Sequence, residues 1–314
     1  MTRSSGENVE MSAEEFDALF SALRTWGRWG DRDQRGAMNL LGPDRVASAV
    51  RLVRDGTSIS LSLPLDTKPA AHNPEPAVHR MMTEGGGDAN SGPLHLAKDY
   101  IGVNYHSDGH THVDALCHIA FEGLMYNGVP EEAVTSSGAT ADSIEAVEDG
   151  IVGRGVLLDV PRLRGVPWLE PGEHVFREDL EAAECAQDVE VEAGDILLVR
   201  TGHTRRLRDL GSWDTPNAKA GLHPTAMHFV ADRNVAVLGS DGNSDTAPSR
   251  TEGVAFPIHV LAITAMGVHL LDYLQLEDLL AACERLARWE FLFVGTPLRI
   301  AGGTGSPLNP IAIL

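Results

Sequence analysis

From Ser12 onward the chain switches repeatedly between helical and strand-like spacing of its apolar residues. Ser12-Ala-Glu-Glu15 has the form of a capping box, a serine at the N-cap with a glutamate three residues on. Phe16, Leu19, Phe20 and Leu23 follow on one helical face and predict an amphipathic helix ending near Gly27. Pro43 and Asp44 open a second helix, with Val46, Val50 and Val53 on one side and Gly56 closing it. Residues 58–63, SISLSL, alternate strictly and predict a half-buried strand. Further on, predicted strands at 156–160, 195–200, 235–238, 267–271 and 290–294 interleave with helices at 141–148, 177–186, 224–231, 258–266 and from Leu276. The interleaving carries no repeat, no heptads and no compositional break. It predicts a single α/β or α+β domain over 1–314, with 1–57 as a helical N-terminal extension.

Two segments fall outside that rhythm. Residues 26–41 are glycine-rich and charged and read as an ordered loop, whose Trp26 and Trp29 are candidates to line a pocket for a flat substrate, although such tryptophans more often anchor a loop. Residues 64–98 are rich in Pro, Gly and Asn and read as a long loop, a lid or a dimer arm. Their His72, His79 and His95 have no spacing partner and read as solvated.

Composition narrows the function classes. Hydrophobic residues make up 43% and charged residues 22% of the 314, which places the chain among soluble globular proteins. No apolar run approaches the ~20 residues of a bilayer span, and the first residues lack the apolar core of a signal peptide, so a cytoplasmic protein is expected. A net charge of −20 argues against nucleic acid or an anionic membrane as partner. Cys117, Cys185 and Cys283 are odd in number and far apart, which disfavours a disulfide framework and agrees with a reducing compartment. Gly302-Gly-Thr-Gly305 is a lone glycine-rich turn and a poor dinucleotide fingerprint. No G-x-S-x-G elbow is present, and Cys117 beside His118 would point to the opposite face of a strand.

The chemistry concentrates in residues 105–122, YHSDGHTHVDALCHIAFE, which hold four of the chain's 13 histidines. His106, Asp108, His110, His112, Asp114 and His118 are all even-numbered. Alternate residues of an extended segment share one face, so side chains from 108 to 114 can converge, and His118 can return if the chain turns. Neutral imidazoles with carboxylates form the ligand set of a Zn, Mn or Fe site. A second polar, glycine-rich loop, 239–245, follows a predicted strand, a common place for site residues.

This central stretch resembles the motif His-x-Gly-Thr-His-x-Asp-x-Pro-x-His of the cyclase family, which includes bacterial kynurenine formamidase and isatin hydrolase. Thr111, His112, Asp114 and His118 match in register, and residues 29–39, 194–202 and 303–307 resemble segments of longer members. The resemblance implies a swivelling β/β/α architecture with mixed sheets, a homodimer or homotetramer, and one or two divalent ions, Zn or Mn. It implies that His112 and Asp114 are metal ligands. Asp108 stands where the motif has its first His and His110 where it has Gly, so both are candidates for the third ligand, with His106 a more remote one. The last motif histidine, His118, takes the place of a proton-transfer group or second-metal ligand. His259 and Asp272 stand where the family carries a further His and Glu near the metal, His259 as a catalytic group and Asp272 as a ligand.

The expected activity is metal-assisted hydrolysis of an amide, lactam or lactone of a small substrate, with His118 or His259 moving the proton. Two other classes stay open: a cyclase or lyase using the same ion, and a non-catalytic small-molecule binder in which the departures at Asp108, His110 and Asp272 mark a decayed site.

Overall fold

The computed structural model describes residues 10–83 and 96–314. His95 and most of the second half of the 64–98 segment lie outside them, as do the first nine residues. Nine strands form one mixed sheet: β1 (Ser58–Ser60), β2 (His112–Asp114), β3 (Ile151–Asp159), β4 (Ile196–Arg200), β5 (Val237–Ser240), β6 (His269–Asp272), β7 (Glu290–Gly295), β8 (Gly305–Pro307) and β9 (Ile311–Ile313). Their order across the sheet is β1-β9-β7-β3-β4-β5-β6-β2-β8. The central four, β3 to β6, run parallel. Antiparallel strands complete both sides.

The central strands are near-continuous apolar runs because helices cover both faces of a parallel sheet. Alternation then sorts their side chains. Val156, Leu158, Leu197, Val199, Leu238 and Leu270 enter one buried cluster. Leu157, Ile196, Leu198, Val237 and Leu271 enter the other. The first cluster is closed by α1 (Ala13–Leu23) and, further along the chain, by three of the later helices. The second is closed by α2 (Pro43–Val50) and by the last helix. The later helices are α3 (Val160–Arg164), α4 (Arg177–Gln187), α5 (His203–Leu210), α6 (Met227–Asp232), α7 (Pro257–His259, continuing as a π-helix over Val260–Ala265) and α8 (Glu277–Leu286). Of these, α4, α6 and α7 lie over the first cluster and α8 over the second.

The predicted capping box is formed in full, Ser12 with Glu15, and Phe16, Leu19 and Leu23 are buried. The second helix differs from its expected face. It stops at Val50, which is 52% exposed, and the small Ala49 is its one fully buried residue. The first predicted strand is shorter than its alternation suggested, laddering over Ser58–Ser60 with a single further bridge from Ser62 to Leu274.

The loop at 26–41 is ordered and forms a short 3₁₀ turn at Gly36–Leu40. Trp26 donates through Nε1 to the Thr264 carbonyl at 2.7 Å and sets its ring edge-on to Phe20. Trp29 is half-buried against the first cluster under the Arg28 guanidinium. Both therefore anchor the loop to the core.

Within the 64–98 excursion, Val78–Thr83 pairs with Lys98–Gly102 as a separate two-stranded ribbon. It exposes Val78, Met81, Met82, Tyr100 and Ile101. His79 lies on it, half-exposed beside Asp99, and His72 bonds the Ser212 hydroxyl.

Gly36 sits at φ +55°, and a Cβ there would lie 2.0 Å from the Gly267 carbonyl oxygen, a backbone atom that cannot yield. Gly36→Ala is expected to cost about 2–4 kcal/mol through overpacking and left-handed strain together. Urea unfolding monitored by circular dichroism checks the value.

Candidate metal centre

The site is built where the parallel part of the sheet meets β2. Asp272 ends β6 and pairs in register with His112 of the antiparallel β2. Directly opposed residues on paired strands share a face, and Asp114, two residues on from His112, shares it too. The register alone therefore brings His112, Asp114 and Asp272 together. On the other edge of β2, Gly305 pairs with Asp114. A Cβ on Gly305 would lie 2.4 Å from the Val113 carbonyl and 3.0 Å from the His106 ring. The glycine-rich tail turn thus exists to let β8 and His106 approach β2, and its Thr304 hydroxyl holds His106 Nε2 at 3.0 Å.

Asp114 is the centre of the arrangement. Its side chain is fully buried, and neither carboxylate oxygen makes a hydrogen bond of good geometry. Four imidazoles surround it. His106 Nδ1, His112 Nε2 and His118 Nε2 lie 3.0, 3.4 and 3.9 Å from Oδ1, and His259 Nε2 lies 3.5 Å from Oδ2. Each ring is aimed by a further contact. His112 Nδ1–H donates to the His110 carbonyl at 2.8 Å, which leaves Nε2 free toward Asp114. His259 Nδ1–H donates to Asp245 at 2.5 Å, and its Nε2 stands 3.4 Å from Asp272. His106 and His118 stack in parallel planes, centroids 3.8 Å apart. Carboxylate or carbonyl partners of this kind fix the tautomer of metal-ligating histidines.

The electrostatics agree. Burial alone would raise the Asp114 pKa, but His118, His106 and His112 outweigh it and hold the carboxyl well below its usual range. Asp272 goes the other way, pushed up by burial and by the Asp114 charge against the pull of His259 and His112. His118 is pushed down to about 4, by burial first and then by the neighbouring imidazoles, against the attraction of Asp114. Burial opposes a charge on His259, yet its bonds to Asp245 and Asp272 raise it well above its ordinary value.

Among the described residues, two sets of donor atoms converge closely enough for an ion: His106, His112 and Asp114, and Asp114, His118 and His259. They share Asp114. Buried carboxylate oxygens left without hydrogen bonds cost several kcal/mol, a cost that a divalent cation bound among these donors removes. Imidazole nitrogens and carboxylate oxygens are the donor set that zinc and manganese accept. The residues present fit such an ion.

Neither converging set includes Asp108 or His110, the two residues that parity favoured as the third ligand. Residues 105–110 form turns, and only His112–Asp114 is extended, so even-numbered positions before Thr111 do not share the strand's face. His110 turns away and donates through Nε2 to the Glu75 carbonyl at 3.1 Å. Asp108 pairs with Lys219 Nζ at 2.7 Å. The same turn brings the more remote option, His106, to within 3.0 Å of Asp114 Oδ1. Asp272 stands at the edge, 3.9 Å from His112 Nε2, and belongs to neither set.

A cavity of about 300 Å³ opens onto the cluster, lined on one side by His106, His112, His118, His259 and Asp272. Asp108, Lys219, Asn243 and Tyr273 also line it, with Ile119, Pro216 and Phe256 as apolar lining. Trp26 and Trp29 do not line it. Sequence reasoning missed Asp245, although the loop that carries it stood out, and missed Lys219, which sits in an unremarkable polar segment.

The comparisons with known proteins meet the site at this point. A family model described as "Putative cyclase" matches residues 59–245, more than half of the chain. The chain belongs to the cyclase family. A crystal structure described as a novel cyclase is 34% identical and superposes with a TM-score of 0.86, over 94% of this chain and 99% of that one. Isatin hydrolase A from Ralstonia solanacearum is similar at 20% identity and TM-score 0.58, over 86% of this chain and 95% of its own. A structure described as a predicted metal-dependent hydrolase from Bacillus stearothermophilus is similar at 15% and 0.51, over 82% and 98%. The last two are similar in fold. None of the curated proteins matches the chain. Among the described residues, no helix of this cyclase-family chain is long and apolar enough to cross a membrane.

His106→Ala and His112→Ala are each expected to weaken Zn or Mn binding at least about 100-fold, the upper end of what losing an outer partner costs. His110→Ala is expected to change the affinity far less, since its ring bonds the Glu75 carbonyl and belongs to neither donor set. Calorimetric titration of the metal-free protein compares the three.

Proposed function

We propose that the chain is a hydrolase that cleaves an amide, lactam or lactone bond of a small, flat substrate with the help of one or two divalent ions, Zn or Mn. The observation that carries this reading is Asp114, buried without a well-aligned hydrogen bond among four imidazoles that line a cavity of about 300 Å³. That volume is at the low end for small-molecule sites and suits a ligand of one or two rings.

His106, His112 and Asp114 would hold the ion, which supplies Lewis acidity toward a carbonyl and lowers the pKa of water from ~15.7 to ~7. His118 faces the cavity with a pKa of about 4, so it is neutral at pH 7 and keeps a lone pair. It accepts the proton of the attacking water and returns it to the leaving nitrogen or oxygen. Asp245 fixes the His259 ring, and Asp272 stands behind His259 Nε2, so this pair holds a second polar wall beside the reacting carbonyl. Ile119, Pro216 and Phe256 exclude water and seat an apolar ring. The hydrolase names of two structural relatives support this choice over cyclase or lyase chemistry, and the two converging sets of donor atoms speak against a decayed site.

A second reading gives His118 a different part. Asp114, His118 and His259 also converge, and with two ions bound His118 is a donor atom and not a base. One variant separates the two. His118→Ala is expected to retain its full metal content and lose about 10²–10⁴ in kcat on isatin, N-formylkynurenine or a dienelactone. Loss of half the bound metal marks the two-ion site instead. Equal turnover by chelated and metal-loaded protein removes the metal-assisted mechanism.

We also infer that the chain self-associates through its exposed ribbon. A lone two-stranded ribbon is marginally stable in water, and this one displays Met81, Met82, Tyr100 and Ile101 on its surface. Light scattering should give a dimer or tetramer, and Ile101→Glu should shift it toward monomer.

A further inference from the structure

A second cavity, of about 350 Å³, shares no lining residue with the one at the histidine cluster. Its volume lies within the range of small-molecule sites. Arg54, Arg154 and Arg288 line it, together with Asp188, Glu190 and Glu290. Three charges of each sign invite pairing, yet one pair alone forms. Arg154 donates through Nε to Glu290 at 2.8 Å, through Nη1 to Asp195 at 2.9 Å and through Nη2 to the Glu190 carbonyl at 3.1 Å. That guanidinium and the Glu290 carboxylate are spent within the protein.

The other four charged groups are not. Arg288 donates through Nη1 to the Leu52 carbonyl at 2.7 Å, and its Nε is buried without a partner. Its Nη2 is the nitrogen left to the cavity. Arg54 and the side chains of Asp188 and Glu190 make no hydrogen bond among the described residues. No described carboxylate oxygen comes within 4.0 Å of a nitrogen of Arg54 or Arg288. In a chain with 45 acidic and 25 basic residues, a shortage of carboxylates does not explain two such arginines in one cavity.

Two helices end at the same place. α4 stops at Gln187 and α8 at Leu286, each followed by a left-handed residue, Asp188 at φ 50° and Ala287 at φ 48°. All four residues line the cavity. The last carbonyls of a helix carry partial negative charge and attract a cation. The Arg288 side chain does not answer them, since its bonded nitrogen reaches Leu52, outside both helices. The cavity thus offers two unpaired guanidiniums and, more than 4.0 Å from them, two unpaired carboxylates beside two helix C-termini. A ligand of one sign meets an attraction and a repulsion there. A ligand carrying both signs meets two attractions. A guanidinium is planar and suits a carboxylate, and helix carbonyls suit an ammonium.

We propose that this cavity binds a small zwitterion of the α-amino-acid type. Arg288 Nη2 and Arg54 hold its carboxylate. Asp188, Glu190 and the terminal carbonyls of α4 and α8 hold its ammonium. Val189, Leu286 and Trp289 lie against its side chain. The proposal is independent of the hydrolase reading and of the metal.

The test is thermal unfolding of the metal-loaded full chain with each of the twenty free L-amino acids, followed by calorimetry on the one that stabilises it most. Its amide, which lacks the negative charge, and its N-acetyl derivative, which lacks the positive one, are titrated beside it. At least one amino acid should raise the melting temperature, and loss of either charge should weaken binding at least about tenfold. Arg288→Ala should weaken it as much and keep the wild-type affinity for zinc. Asp188→Asn, at an exposed left-handed position that asparagine tolerates, should weaken it severalfold, and it carries the test if the arginine variant does not fold. Stabilisation by none of the twenty overturns the proposal, and so does a derivative of single charge that binds as tightly as its parent. Binding that both variants retain in full lies elsewhere, as on the metal, and overturns it too.

Discussion

A carboxylate sealed from water and encircled by imidazoles, with no well-aligned hydrogen bond, is the constraint around which this chain is arranged. Asp114 is fully buried on a three-residue strand. A buried carboxylate without partners is unstable as an anion and normally takes up a proton. Here the surrounding imidazoles hold it ionised. The fold serves that end in detail. β6 brings Asp272 opposite His112, β8 brings Thr304 to His106, and Asp245 reaches across from the loop after β5 to aim His259. Stability and function therefore meet in the same few strands, and an ion that relieves the buried carboxylate also stabilises the sheet edge that holds it.

The cavity that results has two unlike poles. One is the His and Asp cluster, rich in donor atoms that converge. The other is a closed network of Lys219, Asp108, Tyr273 and Asn243, charge-neutral and nearly saturated. Ile119, Pro216 and Phe256 complete its lining. A site of this form binds by shape and by one or two hydrogen bonds, and reserves its electrostatic strength for the reacting carbonyl.

Much of this was legible in the residues because local rules and tertiary structure agree. The capping box and apolar face of α1, the buried runs of β3 to β6, and the pairing of His112 with Asp114 on alternate positions all follow from periodicities of 3.6 and 2. Where prediction and structure part, a backbone turn is responsible. Parity carried the convergent face back to Asp108, but the chain bends through 105–110, and so His110 and Asp108 leave the cluster while His106 enters it. A turn can do this because it breaks the two-residue period that the reading relied on. The tryptophans at 26 and 29 were offered as substrate contacts, and the core claimed them because a glycine-rich loop needs anchors. Lys219 and Asp245 left no trace in spacing, since their partners lie at great sequence distance: Asp108 is 111 residues from Lys219.

The central claim is that an ion sits between His106, His112 and Asp114. Anomalous diffraction at the zinc and manganese edges, from crystals grown with both metals, addresses it directly. A peak within bonding distance of His106 Nδ1, His112 Nε2 and Asp114 Oδ1 is the predicted result. A peak held by Asp108 or His110, or no peak near Asp114 in metal-saturated crystals, contradicts it.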